Sequence, residues 1–125
     1  MIVVLDAHAV VWWLRGDREL SRPARATIAD PQNVVLVSAV TVWELAIKRA
    51  NGKIALDVSL TEDLEAAGFA IIPILATDAE SAAALPQHHR DPFDRMVIAQ
   101  AARLDAVIVT RDRAFEAYDA PILPA

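Results

Sequence analysis

A chain of 125 residues, 55% of them apolar and 23% charged, has the composition of a globular protein and excludes a disordered one. Its length is that of one domain, at roughly 100–200 residues per domain. The absence of cysteine excludes disulfides, thiolate zinc sites and a cysteine nucleophile together. The balance of 12 Lys+Arg against 17 Asp+Glu leaves a net charge of −5, which excludes the bulk basic footprint of a nucleic-acid coat but not a local basic rim.

The chain opens on the apolar run Ile2–Leu5, with no basic flank before it and Asp6 directly after it, so no signal peptide is expected. Every apolar stretch is broken by charge well short of the roughly 18 residues a membrane span needs. A cytoplasmic protein is the expectation.

Four further apolar runs follow: Val34–Val37, Ala70–Ile72, Val107–Val109 and, more weakly, Ile122–Leu123. They are rich in Val and Ile and do not alternate with polar residues, as strands read when both faces of a parallel sheet are covered. Helical patterns lie between them. The first spans Ala7–Leu14, before Gly16, and the second Ser21–Ala29, with Pro23 in its first turn and Asp30-Pro31 beyond it. Val40, Trp43, Ile47 and Ala50 make an apolar stripe over Val40–Ala50, closed by Asn51-Gly52. Ser59–Ala67, Thr77–Leu85 and Phe93–Leu104 are further helices, and Asp112 or Arg113 to Tyr118 adds a turn or two. Strands alternating with helices predict an α/β domain over residues 1–125, with a mostly parallel sheet covered on both faces.

In such a sheet, ligands bind beyond the carboxyl ends of the strands. Asp6 follows the first run, Ser38 the second and Thr110-Arg111-Asp112 the fourth. Connecting helices run antiparallel to the strands, so their N-termini lie at the same edge. That brings Glu44, Asp91 and Asp94 toward Asp6 and Asp112. Crowded carboxylates stay ionised only beside a cation. An all-oxygen set points to Mg²⁺ or Mn²⁺, which suits hydrolysis of a phosphodiester.

Each acid also has a structural reading. Asp6 and Asp91 can cap the helices that follow them, and capping alone explains Asp91. Asp94 favours the dipole of its helix, Glu44 can pair with Lys48 one turn on, and Asp112 can close a turn. The set argues as a set. His8, His88 and His89 have no i, i+4 partner for chelation and read as surface or loop residues, with one of them within reach of substrate. Trp12 and Trp13 read as core plus an interface anchor. Arg90, Arg95, Arg111 and Arg113 flank the acids and can be solubilising or can hold a nucleic-acid backbone.

Four segments in this order, MIVVLDAHAVVWWL, SAVTVWELAIKRANGKI, HHRDPFDRMVIAQA and VIVTRDRAF, resemble PIN-domain proteins, specifically the VapC-like toxins of type II toxin–antitoxin modules. The resemblance implies a Rossmann-like fold and a metal-dependent ribonuclease. It matches Asp6, Glu44, Asp94 and Asp112 to an acidic quartet for Mg²⁺ or Mn²⁺, with Asp91 assisting and Ser38 and Thr110 at small hydroxyl positions. It also implies a homodimer silenced by an antitoxin laid across the site.

The expected function is therefore an endoribonuclease toxin, with Ser38, Lys48, Arg95 and Arg111 at the RNA. The rival is a PIN-fold binding module that acts through its partner alone. A phosphotransfer domain of the receiver type is disfavoured, because its phosphoacceptor Asp ends a middle strand and Val34–Val37 ends in Ser38.

Overall fold

The computed structural model describes residues 1–56 and 59–125. Its strands are β1 (Ile2–Leu5), β2 (Val34–Ser38), β3 (Ala70–Ile72), β4 (Val107–Thr110) and β5 (Ile122–Pro124). Among the described residues these form one sheet in the order β3-β2-β1-β4-β5, with every pair parallel. The helices are α1 (Ala7–Arg15), α2 (Arg22–Ala29), α3 (Ala39–Ala50), α4 (Leu60–Ala66), α5 (Ala76–Ala84) and α6 (Pro92–Leu104), followed by a 3₁₀ stretch over Arg113–Tyr118.

Strand alternation divides the core in two. Val3, Leu5, Val35, Val37 and Val109 face α1, α2 and α4, against Val10, Ile28 and Leu64. Val4, Leu36 and Ile108 point the other way, onto Val97, Ile98, Ala101 and Phe115. Both faces of the central strands are thus dry, and this is why their sequences lack polar alternation. Each Val or Ile so buried contributes about 1.5–3 kcal/mol over an exposed one.

Local signals set the helix limits. Ser21 caps α2, accepting from the Ala24 N–H at 3.2 Å. Gly16, at φ 62°, ends α1 and donates to the Trp12 and Trp13 carbonyls. Strand order reverses between β1 and β4, because the chain crosses from one to the other only after building β2 and β3. That reversal opens a crevice at the carboxyl edge. The middle strand is β1 and the acid at its end is Asp6, so Ser38 at the end of β2 does not by itself exclude a receiver. What does separate the fold from a receiver is strand order, 3-2-1-4-5 here against 2-1-3-4-5 there.

Among the described residues no helix is long and apolar enough to cross a membrane.

Candidate metal centre

Asp6 is both a cap and a site residue. Its Oδ1 accepts from the Ala9 N–H at 2.9 Å, capping α1, and its Oδ2 accepts from the Thr110 hydroxyl at 2.5 Å. Thr110 in turn accepts from the Asp112 N–H at 3.0 Å. One hydroxyl therefore links the acid after β1 to the turn after β4. Asp6 is buried, and that burial raises its pKa despite the opposing bonds from Thr110 and the Ala9 amide.

Asp94 occupies the third position of α6, whose start is fixed by Asp91 accepting from the Phe93 and Asp94 N–H groups. Burial pushes the Asp94 carboxyl up to about 7, with the charge of Asp91 adding, His89 opposing, and Glu44 and Asp6 adding further. Glu44 points inward from α3, buried, and accepts from Lys48 Nζ at 2.8 Å. Asp112 caps the 3₁₀ stretch, its Oδ1 accepting from the Ala114 N–H at 2.9 Å. Its Oδ2 lies 3.1 Å from His89 Nε2, and the same nitrogen is 2.8 Å from Asp94 Oδ2.

These acids share one cleft of about 480 Å³, lined also by His8, Trp12, Lys48 and Arg111. Two predicted contacts lie elsewhere. Ser38 is fully buried and caps α3, accepting from the Val40 N–H at 3.1 Å. Arg95 is buried, and its guanidinium donates to the carbonyls of Ala82, Ala83, Leu85, Pro86 and His89 at 2.8–3.3 Å. Neither lines the cleft, so the expectation that they touch RNA does not carry over; Arg95 is consumed in holding the chain that leads into α6. Arg111 does line it, with its Cζ 4.4 Å from the Trp12 ring centroid and its guanidinium paired with Glu19 at 2.8 Å.

His89 is the group that sequence reasoning passed over. One atom from each of His89, Asp94 and Asp112 falls within 4.8 Å of the others, which brings the two carboxylates close enough to share a cation. The search for an i, i+4 histidine pair missed it because its partners are carboxylates on other elements. The carboxylates of the cleft, Asp6, Glu44, Asp94 and Asp112, offer hard oxygen and fit Mg²⁺ or Mn²⁺. Burial that raises two of these carboxyls is what a cation at this place would offset. A divalent ion held by these carboxylates would supply a bound water that ionises near neutral pH and charge stabilisation for phosphate oxygens. Lys48 and Arg111 line the cleft beside them, each paired with a carboxylate, Glu44 and Glu19 respectively.

The PIN domain family model matches residues 3–121, and the chain belongs to the PIN-domain family. It is VapC-like within that family: it is 30% identical over 122 residues to Ribonuclease VapC22 of Mycobacterium tuberculosis, across 95% of this chain and 93% of that one. Solved structures agree in fold. VapBC2 from Rickettsia felis, bound to a DNA fragment from their promoter, superposes with a TM-score of 0.72 at 17% identity, over 99% of this chain and 98% of that one. A toxin–antitoxin complex from Klebsiella pneumoniae gives 0.68 at 22% identity, over 98% and 96%.

Proposed function

We propose that the chain is a Mg²⁺- or Mn²⁺-dependent endoribonuclease, the toxin of a type II toxin–antitoxin module, acting in the cytoplasm as one domain over residues 1–125. The observation that carries this is the meeting of Asp6, Glu44, Asp94 and Asp112 in one cleft at the strand-order reversal. The name of the VapC22 relative supports the ribonuclease class, and the toxin–antitoxin assemblies of like fold support a protein partner.

In this reading Asp6 and Asp94 are the principal metal ligands, and Glu44 and Asp112 complete the shell or orient the attacking water. Lys48 and Arg111 hold the RNA backbone. A homodimer is part of the proposal: Trp43 and Ile47 of α3, and Ile74 and Leu75 before α5, are large apolar side chains left exposed, more than a small monomer readily leaves in water.

The test is cleavage of RNA by the purified chain, with and without EDTA. Activity that is lost on chelation, returns with Mg²⁺ or Mn²⁺ and is absent from Asp6→Ala supports the nuclease. Undiminished cleavage by Asp6→Ala overturns it. A chain that neither cleaves RNA nor takes up Mn²⁺ is the binding module instead.

A further inference from the structure

His89 lies in the connection between α5 and α6, yet each of its hydrogen-bonding atoms is engaged. Its N–H donates to the Tyr118 hydroxyl oxygen at 2.7 Å, and its carbonyl accepts from Arg95 at 3.2 Å. Its Nδ1 accepts from the Asp91 N–H at 3.2 Å, and its Nε2 reaches Asp112 at 3.1 Å. The ring stands edge-on to Phe115, with centroids 5.9 Å apart and planes at 87°. Tyr118 also donates to the Pro86 carbonyl at 2.8 Å, so the same connection is tied from the 3₁₀ stretch as well as from α6. A loop histidine held on every side is a placed group.

The placement also selects a tautomer. An Nδ1 that accepts from a backbone N–H carries no proton of its own, so the ring proton sits on Nε2, between the Asp112 carboxylate at 3.1 Å and the Asp94 carboxylate at 2.8 Å. Asp112 needs such a partner. Its side chain is 45% exposed, and its Oδ1 is committed to the Ala114 N–H. Without the imidazole, Oδ2 has solvent around it and nothing to aim it.

We propose that His89 is a positioning residue of the metal centre: its Nε2–H holds the Asp112 carboxylate beside that of Asp94, so that the acid from the turn after β4 and the acid from α6 present oxygen to one divalent cation. The imidazole acts through the carboxylates and is not itself a ligand, since ligation through Nε2 would move the proton to Nδ1 and break the bond from Asp91. This inference rests on the metal-dependent reading above.

The experiment is calorimetric titration of the full chain with Mn²⁺, without RNA, for the wild type, His89→Ala, His89→Gln and His89→Asn. Loss of a partner that orients a metal-binding carboxylate costs roughly 10–100-fold in affinity, and that is the loss expected of His89→Ala. His89→Gln places an N–H close to where Nε2 stood and recovers most of the affinity, whereas the shorter His89→Asn does not. Mn²⁺ binding by His89→Ala within twofold of the wild type overturns the proposal, as does a loss that His89→Gln fails to relieve. A wild type that takes up no Mn²⁺ overturns the metal reading and this inference with it, whereas wild-type binding matched by His89→Ala overturns this inference alone. Imidazole nitrogen chemical shifts of the unmutated chain decide the matter should the variants fail to fold. A protonated Nε2 and bare Nδ1, kept on saturation with Mg²⁺, are expected, and a proton on Nδ1 overturns the proposal.

Discussion

The Thr110 hydroxyl donates to Asp6 Oδ2 at 2.5 Å, joining residues 104 positions apart at the ends of two neighbouring strands. Both are almost wholly buried. Thr110→Val keeps the shape and removes the donor, leaving Asp6 one bond poorer and the Asp112 N–H without its acceptor. The expected cost is about 1–3 kcal/mol in urea unfolding, with RNA cleavage down roughly 10–100-fold. Thr110→Ser, which restores the hydroxyl, should recover most of the activity.

Asp6→Asn separates stability from function. The site forces a charge into a dry place, which costs the fold; the amide discards that charge and keeps its one oxygen for Thr110, giving up the bond from the Ala9 N–H, so the two effects offset. Melting in EDTA should be no lower than for the wild type. Cleavage should fall by roughly 100-fold or more as the electrostatic contribution is lost. A variant that melts much lower in EDTA would show that the carboxylate is needed for folding.

Asp94 sets a pH dependence. Its carboxyl is raised from 3.8 to about 7, so across that window the folded chain holds a proton that the unfolded chain has released. Stability of the metal-free protein therefore declines as pH rises from 3.8 toward about 7. Burial raises Asp6 as well and acts in the same direction. Mn²⁺ competes with these protons, so its affinity climbs over the same range and levels off above it. Melting curves recorded against pH, with EDTA and with Mn²⁺, should diverge in this way.

Asp78 responds to acid in the opposite sense. Arg103 grips it through Nε at 2.6 Å and Nη2 at 3.0 Å, while it accepts from the Leu75 N–H and from Gln100. The bond from Arg103 holds its pKa below the ordinary 3.8. Its contribution is in place above that value and is lost as pH falls through the lower folded pKa. Asp78→Ala should cost about 1–3 kcal/mol through the stranded Leu75 and Gln100 donors, with Mn²⁺ affinity unaltered.

The proposed contact of Lys48 with RNA is open to a salt titration. Lys48→Ala should raise KM for RNA with a smaller change in kcat, and should flatten the dependence of KM on salt, as removal of a phosphate contact does. An unchanged salt dependence would place Lys48 as a partner of Glu44 alone.

The sequence discloses what depends on local pattern and on topology. Runs such as Val34–Val37 mark strands because burial on both faces admits nothing polar, and β1 and β3 have the limits those runs predict. Asp6, Asp94 and Asp112 meet because helices return antiparallel to parallel strands, which needs no coordinates. Arg95 and His89 were misread for the opposite reason. A guanidinium caged by five carbonyls, and an imidazole whose partners come from α6 and the 3₁₀ stretch, depend on the path of residues 86–91 between α5 and α6, which carries no periodic signal. Ser38 stands where its run predicts, at the end of β2, but its hydroxyl caps α3, accepting from the Val40 N–H, and does not line the cleft.

The strand order has a consequence for biosynthesis. Asp6 is translated 104 residues before Thr110, so the strand that flanks its crevice leaves the ribosome much later. Until β4 slides in beside β1, the acids already translated have no common ground. A nascent chain of this design cannot complete the cleft before β4 has been translated.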